Sequence, residues 1–142
     1  MEKLQGIVSK YASYLKYLFV LGAVIAGLNT LGRADYNFAI YLYMLYVWAF
    51  LTRNQAQDKL YCFFILIFSL LIDIFWCFYW QGKWAGFISL VHWLCLVLSW
   101  LGIFLKVLII AMIAILDLPS IKGALSEKMA PDSYLPQIDE QI

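Results

Sequence analysis

Four apolar stretches fill most of the chain between residues 12 and 116, and each is long enough, or nearly so, to cross a bilayer. They cover residues 12–31, 36–52, 60–80 and 94–116. About 20 apolar residues in a helix span the hydrocarbon layer, and a lipid-embedded segment must satisfy its own backbone hydrogen bonds, which favours helices. The sequence therefore predicts an all-α fold. Residues 1–118 form an integral membrane four-helix bundle, and residues 119–142 form a short polar tail.

The composition excludes the common soluble classes of protein. Hydrophobic residues make up 65% of the chain and charged residues 13%, against about 45–50% and about 25% in an ordinary globular domain. A soluble chain of 142 residues cannot hide so much apolar surface, because most residues of a small domain touch water. The net charge of +1 provides no field that would attract nucleic acid. We therefore expect lipids as partners, no nucleic acid, and no soluble enzyme.

The last apolar run, residues 84–116, is too long for one simple crossing. As a helix it would measure about 50 Å, against a hydrocarbon layer of about 30 Å. We therefore predict an interfacial segment over residues 84–93 and a fourth span over residues 94–116, which Pro119 ends because proline cannot continue a helix. Trp76, Trp80 and Trp84 fit the aromatic belt at headgroup depth. No Ala-x-Ala cleavage site follows the first span, so we expect that span to be retained.

The distribution of basic residues predicts the orientation of the bundle. Four spans place both termini on one side of the membrane. The residues on that side are Lys3, Lys10, Lys16, Arg53, Lys59, Lys122 and Lys128; those on the opposite side are Arg33 and Lys83. By the positive-inside rule the termini face the cytosol or the mitochondrial matrix. The sequence leaves open whether the membrane is the mitochondrial inner membrane or an endomembrane of the endoplasmic reticulum, Golgi or vesicles.

Ionisable residues inside the spans need partners, because an unpaired charge in the bilayer core costs several kcal/mol. If the fourth span starts near Leu96, Lys106 lies about 15 Å deep and can pair with Asp73, which lies about 10 Å below the interface. If that helix starts at Trp84, His92 becomes the partner of Asp73. We favour Asp73 with Lys106, as a structural pair between helices. A proton or ion path usually needs several such groups in series.

Small residues in the first span provide a helix-packing face. Gly22 with Ala26 and Ala23 with Gly27 have the spacing that lets two backbones approach closely. We favour packing within the chain over a dimer interface. No catalytic motif or metal-ligand spacing occurs in the sequence, so we expect no catalytic residues, no metal and no cofactor other than bound lipids.

The tail turns polar after Pro119. Residues 120–128 can form a short amphipathic helix with Ile121, Leu125 and Met129 on one face, which would suit a membrane surface. The acidic, proline-containing residues that follow are typical of an extended or disordered segment. Ser133 and Tyr134 are candidate modification sites.

Several short motifs share their order and approximate spacing with one family of membrane proteins, over residues 37–139. The motifs are Asn37-Phe38, Val47-Trp48-Ala49 with Arg53, Leu71-Ile72-Asp73-Ile74, Leu98-Ser99 with Lys106, and Ser133-Tyr134 with Ile138-Asp139. In these the chain resembles the angiotensin II type-1 receptor-associated protein family.

The resemblance implies a small non-enzymatic protein of endoplasmic reticulum, Golgi and endosomal membranes that binds a receptor's cytoplasmic tail through its own C-terminal region. It implies that Asp73 and Lys106 are shared intramembrane charges. It also implies that the tail, with Ser133, Tyr134, Ile138 and Asp139, binds the partner. This chain departs from the family in its short tail and in the apolar character of residues 84–93.

Two functions are compatible with these features. The first is an accessory, structural subunit of a large membrane complex of the respiratory-chain or proton-pump type, which would contact the other transmembrane subunits. The second is a membrane adaptor that binds a receptor or trafficking partner through its tail. We favour the subunit role. It is compatible with the resemblance, because a family fold can be reused as a structural subunit.

Overall fold

The structure, a computed structural model, describes residues 2–32, 35–50, 54–84 and 90–129. All regular secondary structure within these ranges is α-helical, which confirms the predicted all-α class. The helices are α1 (Glu2–Asn29), α2 (Asn37–Ala49), α3 (Gln55–Trp84), α4 (Leu90–Leu116) and α5 (Leu118–Met129). Of these, α3 and α4 are each long and apolar enough to cross a membrane, and Ser13–Asn29 and α2 are shorter apolar helices.

The segment predicted to be interfacial, residues 84–93, is divided between the end of α3 and the start of α4. Trp84 is the last residue of α3, and residues 90–93 form the first turn of α4. Residues 85–89 lie outside the described ranges. The physical reason is that an apolar run satisfies its backbone groups best by remaining helical until the chain reverses. Helix α1 begins before its predicted span 12–31 and ends at Asn29, and α3 extends beyond its predicted span 60–80 at both ends. These extensions are rich in polar residues, many of which are good helix formers.

Helix α2 is shorter than its predicted span of residues 36–52. It has 13 residues and ends at Ala49, because Phe50 adopts an extended conformation with φ −113° and ψ 142°. The side-chain amide of Gln55 donates a hydrogen bond of 3.3 Å to the Val47 carbonyl. This bond satisfies one of the carbonyls that every helix leaves free at its C-terminus.

Only Asp117 separates the end of α4 from the start of α5, so the helical path resumes at once despite Pro119. The Asp117 amide still donates to the Ile113 carbonyl at 3.0 Å, and Leu118 begins α5. Pro119 then lies in the first turn of α5, where the missing N–H would have no intrahelical acceptor. Ile121 is 3% exposed and holds α5 against the rest of the fold. The side chains of Leu125 and Met129, predicted to share that face, lie outside the described residues.

Helices α1 and α4 run antiparallel, and so do α3 and α4, as their side-chain contacts show. Along α1 and α4, Ile25 lies beside Gly102 and Asn29 bonds Ser99. On α3 and α4, Phe78 meets Trp100 edge to face with ring centroids 5.9 Å apart. Helix α1 contacts α2 and α4, and α3 contacts the same two helices from the other side.

The interior combines an apolar core, which includes Phe19, Met44 and Ile109, with buried polar side chains. The interior buries several polar or charged residues, namely Asn29, Asp35, Asn37, Ser69, Asp73, Ser99 and Lys106. Many large apolar side chains face outward, among them Phe75 at 76%, Phe104 at 71% and Phe68 at 66% exposure. Soluble proteins of this size rarely expose contiguous apolar surface on this scale.

Candidate functional site

A buried ion pair between α3 and α4 forms the centre of the candidate site. Lys106 Nζ lies 2.5 Å from Asp73 Oδ2, and the two side chains are 1% and 5% exposed. Asp73 lies about 16 Å along α3 from its end at Trp84, and Lys106 about 24 Å along α4 from its start at Leu90. Both charges are therefore far from either end of the hairpin, where only an oppositely charged partner and hydrogen bonds offset the cost of burial.

Asn37, the first residue of α2, bridges the two charges. Its side-chain oxygen accepts a hydrogen bond from Lys106 Nζ at 2.6 Å. Its side-chain amide donates to both carboxylate oxygens of Asp73, at 3.2 and 3.0 Å. One neutral side chain thus solvates both members of the pair, because an amide offers a donor and an acceptor at once.

Tyr36 covers the pair from the α1–α2 connection. Its hydroxyl lies 3.2 Å from Asp73 Oδ1, to which it donates, and 3.3 Å from the Ser69 carbonyl. Lys106 Nζ lies 5.8 Å from the centre of the Tyr36 ring. An ammonium near an aromatic face is stabilised by the ring's quadrupole. Tyr36 therefore contacts both charges of the pair.

A second group of polar side chains continues the network toward α1. Asn37 donates its backbone N–H to Asp35 Oδ1 at 2.9 Å. Asn29 Nδ2 is 3.0 Å from both Asp35 Oδ2 and Ser99 Oγ. Ser99 in turn donates to the Cys95 carbonyl at 2.7 Å. The network therefore joins α1, α2, α3 and α4 through side-chain hydrogen bonds.

The small residues of α1 lie where α2 crosses it. A Cβ on Gly22 would stand 2.6 Å from the Tyr41 ring, and one on Gly27 would stand 3.7 Å from the Phe38 ring. Ala23 and Ala26 are 7% and 3% exposed. These contacts are within the chain, in line with the packing we favoured for this face. Gly22 matters most, because the ring of Tyr41 occupies the space its side chain would need.

A separate polar contact lies at the other end of the fold. Asp117, between α4 and α5, accepts a hydrogen bond of 3.1 Å from the Trp48 indole N–H. Lys59 Nζ lies 3.5 Å from the other Asp117 oxygen and 5.1 Å from the centre of the Trp48 ring. This contact joins the end of α2, the start of α3 and the end of α4.

The structure separates the remaining candidates from the network. His92, the alternative partner of Asp73, lies about 21 Å along α4 from Lys106 and is half-buried. Ser133, Tyr134, Ile138 and Asp139 lie outside the described residues. Among the residues that are described, no group of three or more His, Cys, Asp or Glu side chains could hold a metal ion.

Sequence reasoning found the two charges but missed the polar residues around them. Asn29, Asp35, Asn37 and Ser99 were not proposed as site residues. The sequence did offer an indication, because Asn29, Asp35 and Asn37 cluster around the short connection between the first two apolar stretches. Polar residues at such positions usually face water, and only the packing of α3 and α4 against the connection buries them.

The arrangement is suited to holding helices together. Each buried charge contacts at least two neutral or oppositely charged groups of the chain itself, and hydrogen-bonded networks around buried charges rigidify a fold. No protein-family model, no curated protein and no solved structure matches this chain.

Proposed function

We propose that the chain is a multi-pass integral membrane protein whose first four helices form a four-helix bundle. The single observation that carries this proposal is the burial of Asp73, Lys106 and Asn37 together with the exposure of many large apolar side chains. Water would favour the opposite arrangement. In lipid, ionisable side chains turn toward the bundle interior and pair there, while apolar side chains lose nothing by facing the acyl chains.

The spacing of interfacial groups along α3 supports the same proposal. Lys59 lies beside the Trp48 ring at one end, and Lys83 lies 4.5 Å from the centre of the Tyr79 ring at the other. These two lysines are about 36 Å apart along the helix axis. The hydrocarbon core measures about 30 Å and the bilayer with its headgroup regions about 40–45 Å. Between the two lysines Asp73 alone is charged, and it is buried.

Antiparallel packing of four helices would place both termini on one side, which the basic residues assign to the cytosol or matrix. Helix α2 is about 20 Å long, shorter than the hydrocarbon layer. A short helix is accommodated by local thinning of the bilayer or by association with neighbouring helices. Its first residue, Asn37, lies on the buried pair, so α2 is held by α3 and α4 rather than by an aqueous anchor.

The function we propose is that of a non-catalytic accessory subunit of a large membrane complex, in the mitochondrial inner membrane or in an endomembrane. Its buried charges, Asp73 and Lys106, bond each other and Asn37, which suits a rigid element. Its outer surface offers apolar and aromatic side chains, which suit contact with other transmembrane subunits and with lipids. Aromatic residues are enriched at the core of protein interfaces.

The test is gentle detergent solubilisation of the native membrane, followed by native gel electrophoresis and mass spectrometry of the band. Migration within a very large band that contains respiratory-chain or proton-pump subunits supports the subunit role. Migration as a small particle, alone or with a receptor or trafficking factor, contradicts it and favours the adaptor role of the tail.

The variant Asp73→Asn separates structure from transport. If the proposal is correct, this variant weakens assembly of the chain into its complex, and any loss of complex activity follows the loss of assembly. Retained assembly with lost activity would instead assign Asp73 a part in a proton or ion path. Gln81→Ala, an exposed change on the same helix, is the matched control and should leave both readouts unchanged.

A further inference from the structure

A small polar cavity lies beside the buried pair, between α1, α2 and α4. Its volume is about 10 Å³, and its polar lining includes Asn29, Asp35, Asn37, Tyr41 and Ser99. No catalytic or packing role described above uses this space.

Two polar atoms of that lining have no hydrogen-bond partner among the described residues: the side-chain oxygen of Asn29 and the hydroxyl of Tyr41. Both residues are 2% exposed. Leaving a buried polar group without a partner is costly, and native proteins rarely do so. The two atoms do not bond each other, so each needs a third group.

We propose that this cavity binds one water molecule, which bridges Asn29 Oδ1 and the Tyr41 hydroxyl. A cavity of this volume is about the smallest that holds a water, and a buried water needs two to four polar partners. Water can donate to the Asn29 oxygen and can either donate to or accept from the phenol, so it satisfies both atoms. The proposal is independent of the function proposed above.

A monovalent cation is the competing ligand, because two carboxylates, Asp35 and Asp73, line the cavity with Lys106. Lys106 is the group that disfavours it. The Lys106 ammonium lines the same cavity and already bonds Asp73. A second positive charge there would be repelled by Lys106 and would compete with it for the carboxylate. A neutral ligand avoids both effects.

The bridge would anchor α2 at a second point. Tyr41 lies one turn after Asn37 on the same face of α2, and the backbone of Gly22 supports its ring. With the water in place, the hydrogen-bond network extends from Lys106 and Asp73 through Asn37, Asp35 and Asn29 to Tyr41.

The sign of the effect of Tyr41→Phe tests the proposal. The measurement is the thermal unfolding midpoint of the full chain in detergent or lipid nanodiscs. If the water is present, removing the hydroxyl breaks a bond and the midpoint falls by about 4 °C. If the cavity is dry, the substitution removes an unsatisfied hydroxyl, and an unchanged or higher midpoint overturns the proposal. Tyr43→Phe, on the exposed face of α2, is the control and should shift nothing.

A double-variant comparison tests the bridge itself. If one water joins the two atoms, Tyr41→Phe lowers the midpoint less in an Asn29→Ala background than in the natural chain, and equal shifts overturn the bridge. If Asn29→Ala fails to fold, an experimental density map decides. The proposal requires a peak within hydrogen-bond distance of both atoms, and the absence of that peak overturns it.

Repeating the unfolding measurement in sodium chloride and in choline chloride tests the competing ligand, a cation. If sodium raises the unfolding midpoint of the natural chain but not that of Tyr41→Phe, the cavity binds the cation and not water, which overturns the proposal.

Discussion

Lys106 and Asp73 face each other across the interface of α3 and α4, with Nζ 2.5 Å from Oδ2 and both side chains buried. Neither charge can be removed alone without leaving the other in an apolar surrounding. A buried pair contributes little net stability compared with apolar residues, but breaking it is strongly destabilising. Stability of the bundle should therefore depend on the pair as a unit.

Single and double substitutions of the pair should differ sharply. Asp73→Leu and Lys106→Met should each lower the free energy of unfolding by about 3–5 kcal/mol, because each leaves an uncompensated buried charge. The double variant should lose less than the sum of the two, with a coupling of about 1–3 kcal/mol. Thermal or denaturant unfolding in detergent measures all three. Additive losses would show that the two side chains do not stabilise each other.

Asn37→Ala should destabilise the fold by about 2–3 kcal/mol, because the lost hydrogen bonds involve charged groups. The expected effect includes weaker attachment of α2, which limited proteolysis of the α1–α2 connection would report as faster cleavage. Gln81→Ala removes an exposed amide on α3 and should change neither quantity. An unchanged free energy of unfolding in Asn37→Ala would contradict this prediction and would mean that water replaces the hydrogen bonds of the amide.

Gly22→Ala and Gly27→Ala form a matched pair on one face of α1. The new Cβ at residue 22 would stand 2.6 Å from the Tyr41 ring, whereas at residue 27 it would make an ordinary contact at 3.7 Å. We expect Gly22→Ala to cost about 1–3 kcal/mol through overpacking. Gly27→Ala should be neutral or slightly stabilising, since alanine is the better helix former. Equal effects in unfolding experiments would contradict the packing of α1 against α2.

Asp117→Ala should loosen α5 with little effect on the rest of the fold. Asp117 accepts the Trp48 indole N–H at 3.1 Å and lies 3.5 Å from Lys59 Nζ, but it is partly exposed. Exposed ion pairs contribute about 0–1 kcal/mol, so global unfolding should shift by no more than about 1 kcal/mol. Proteolysis within α5 should become faster. Lys122→Ala, an exposed change on α5, is the control.

The three cysteines should report on unfolding. Cys62, Cys77 and Cys95 carry thiols that form no disulfide with one another, and each is at most 1% exposed. A maleimide should therefore label the folded protein slowly and the denatured protein completely. Gln57→Cys, at an exposed position at the start of α3 outside the apolar stretch, should be labelled at once under native conditions. Rapid labelling of the natural chain would indicate that the helices separate in the folded state.

The ends of the helices show how much of the fold local sequence patterns can predict. The apolar stretches predicted helices, and the structure has them, but the end of α2 and the start of α4 differ from the predicted positions. Phe50 and Leu90 belong to runs whose composition is uniform, so nothing local marks where a helix ends. Those ends depend on contacts such as that of Gln55 with the Val47 carbonyl, which exist only after packing.

The sequence by itself determined the helical class and the positions of the two buried charges, because apolar length and an isolated Asp or Lys are properties of a single segment. Only the tertiary structure decided that Lys106, and not His92, pairs with Asp73. It also decided that Asn29, Asp35 and Asn37 are buried in the hydrogen-bond network around the pair. Partner choice depends on the rotation and register of each helix against its neighbours, and these are set by the packing of all helices together.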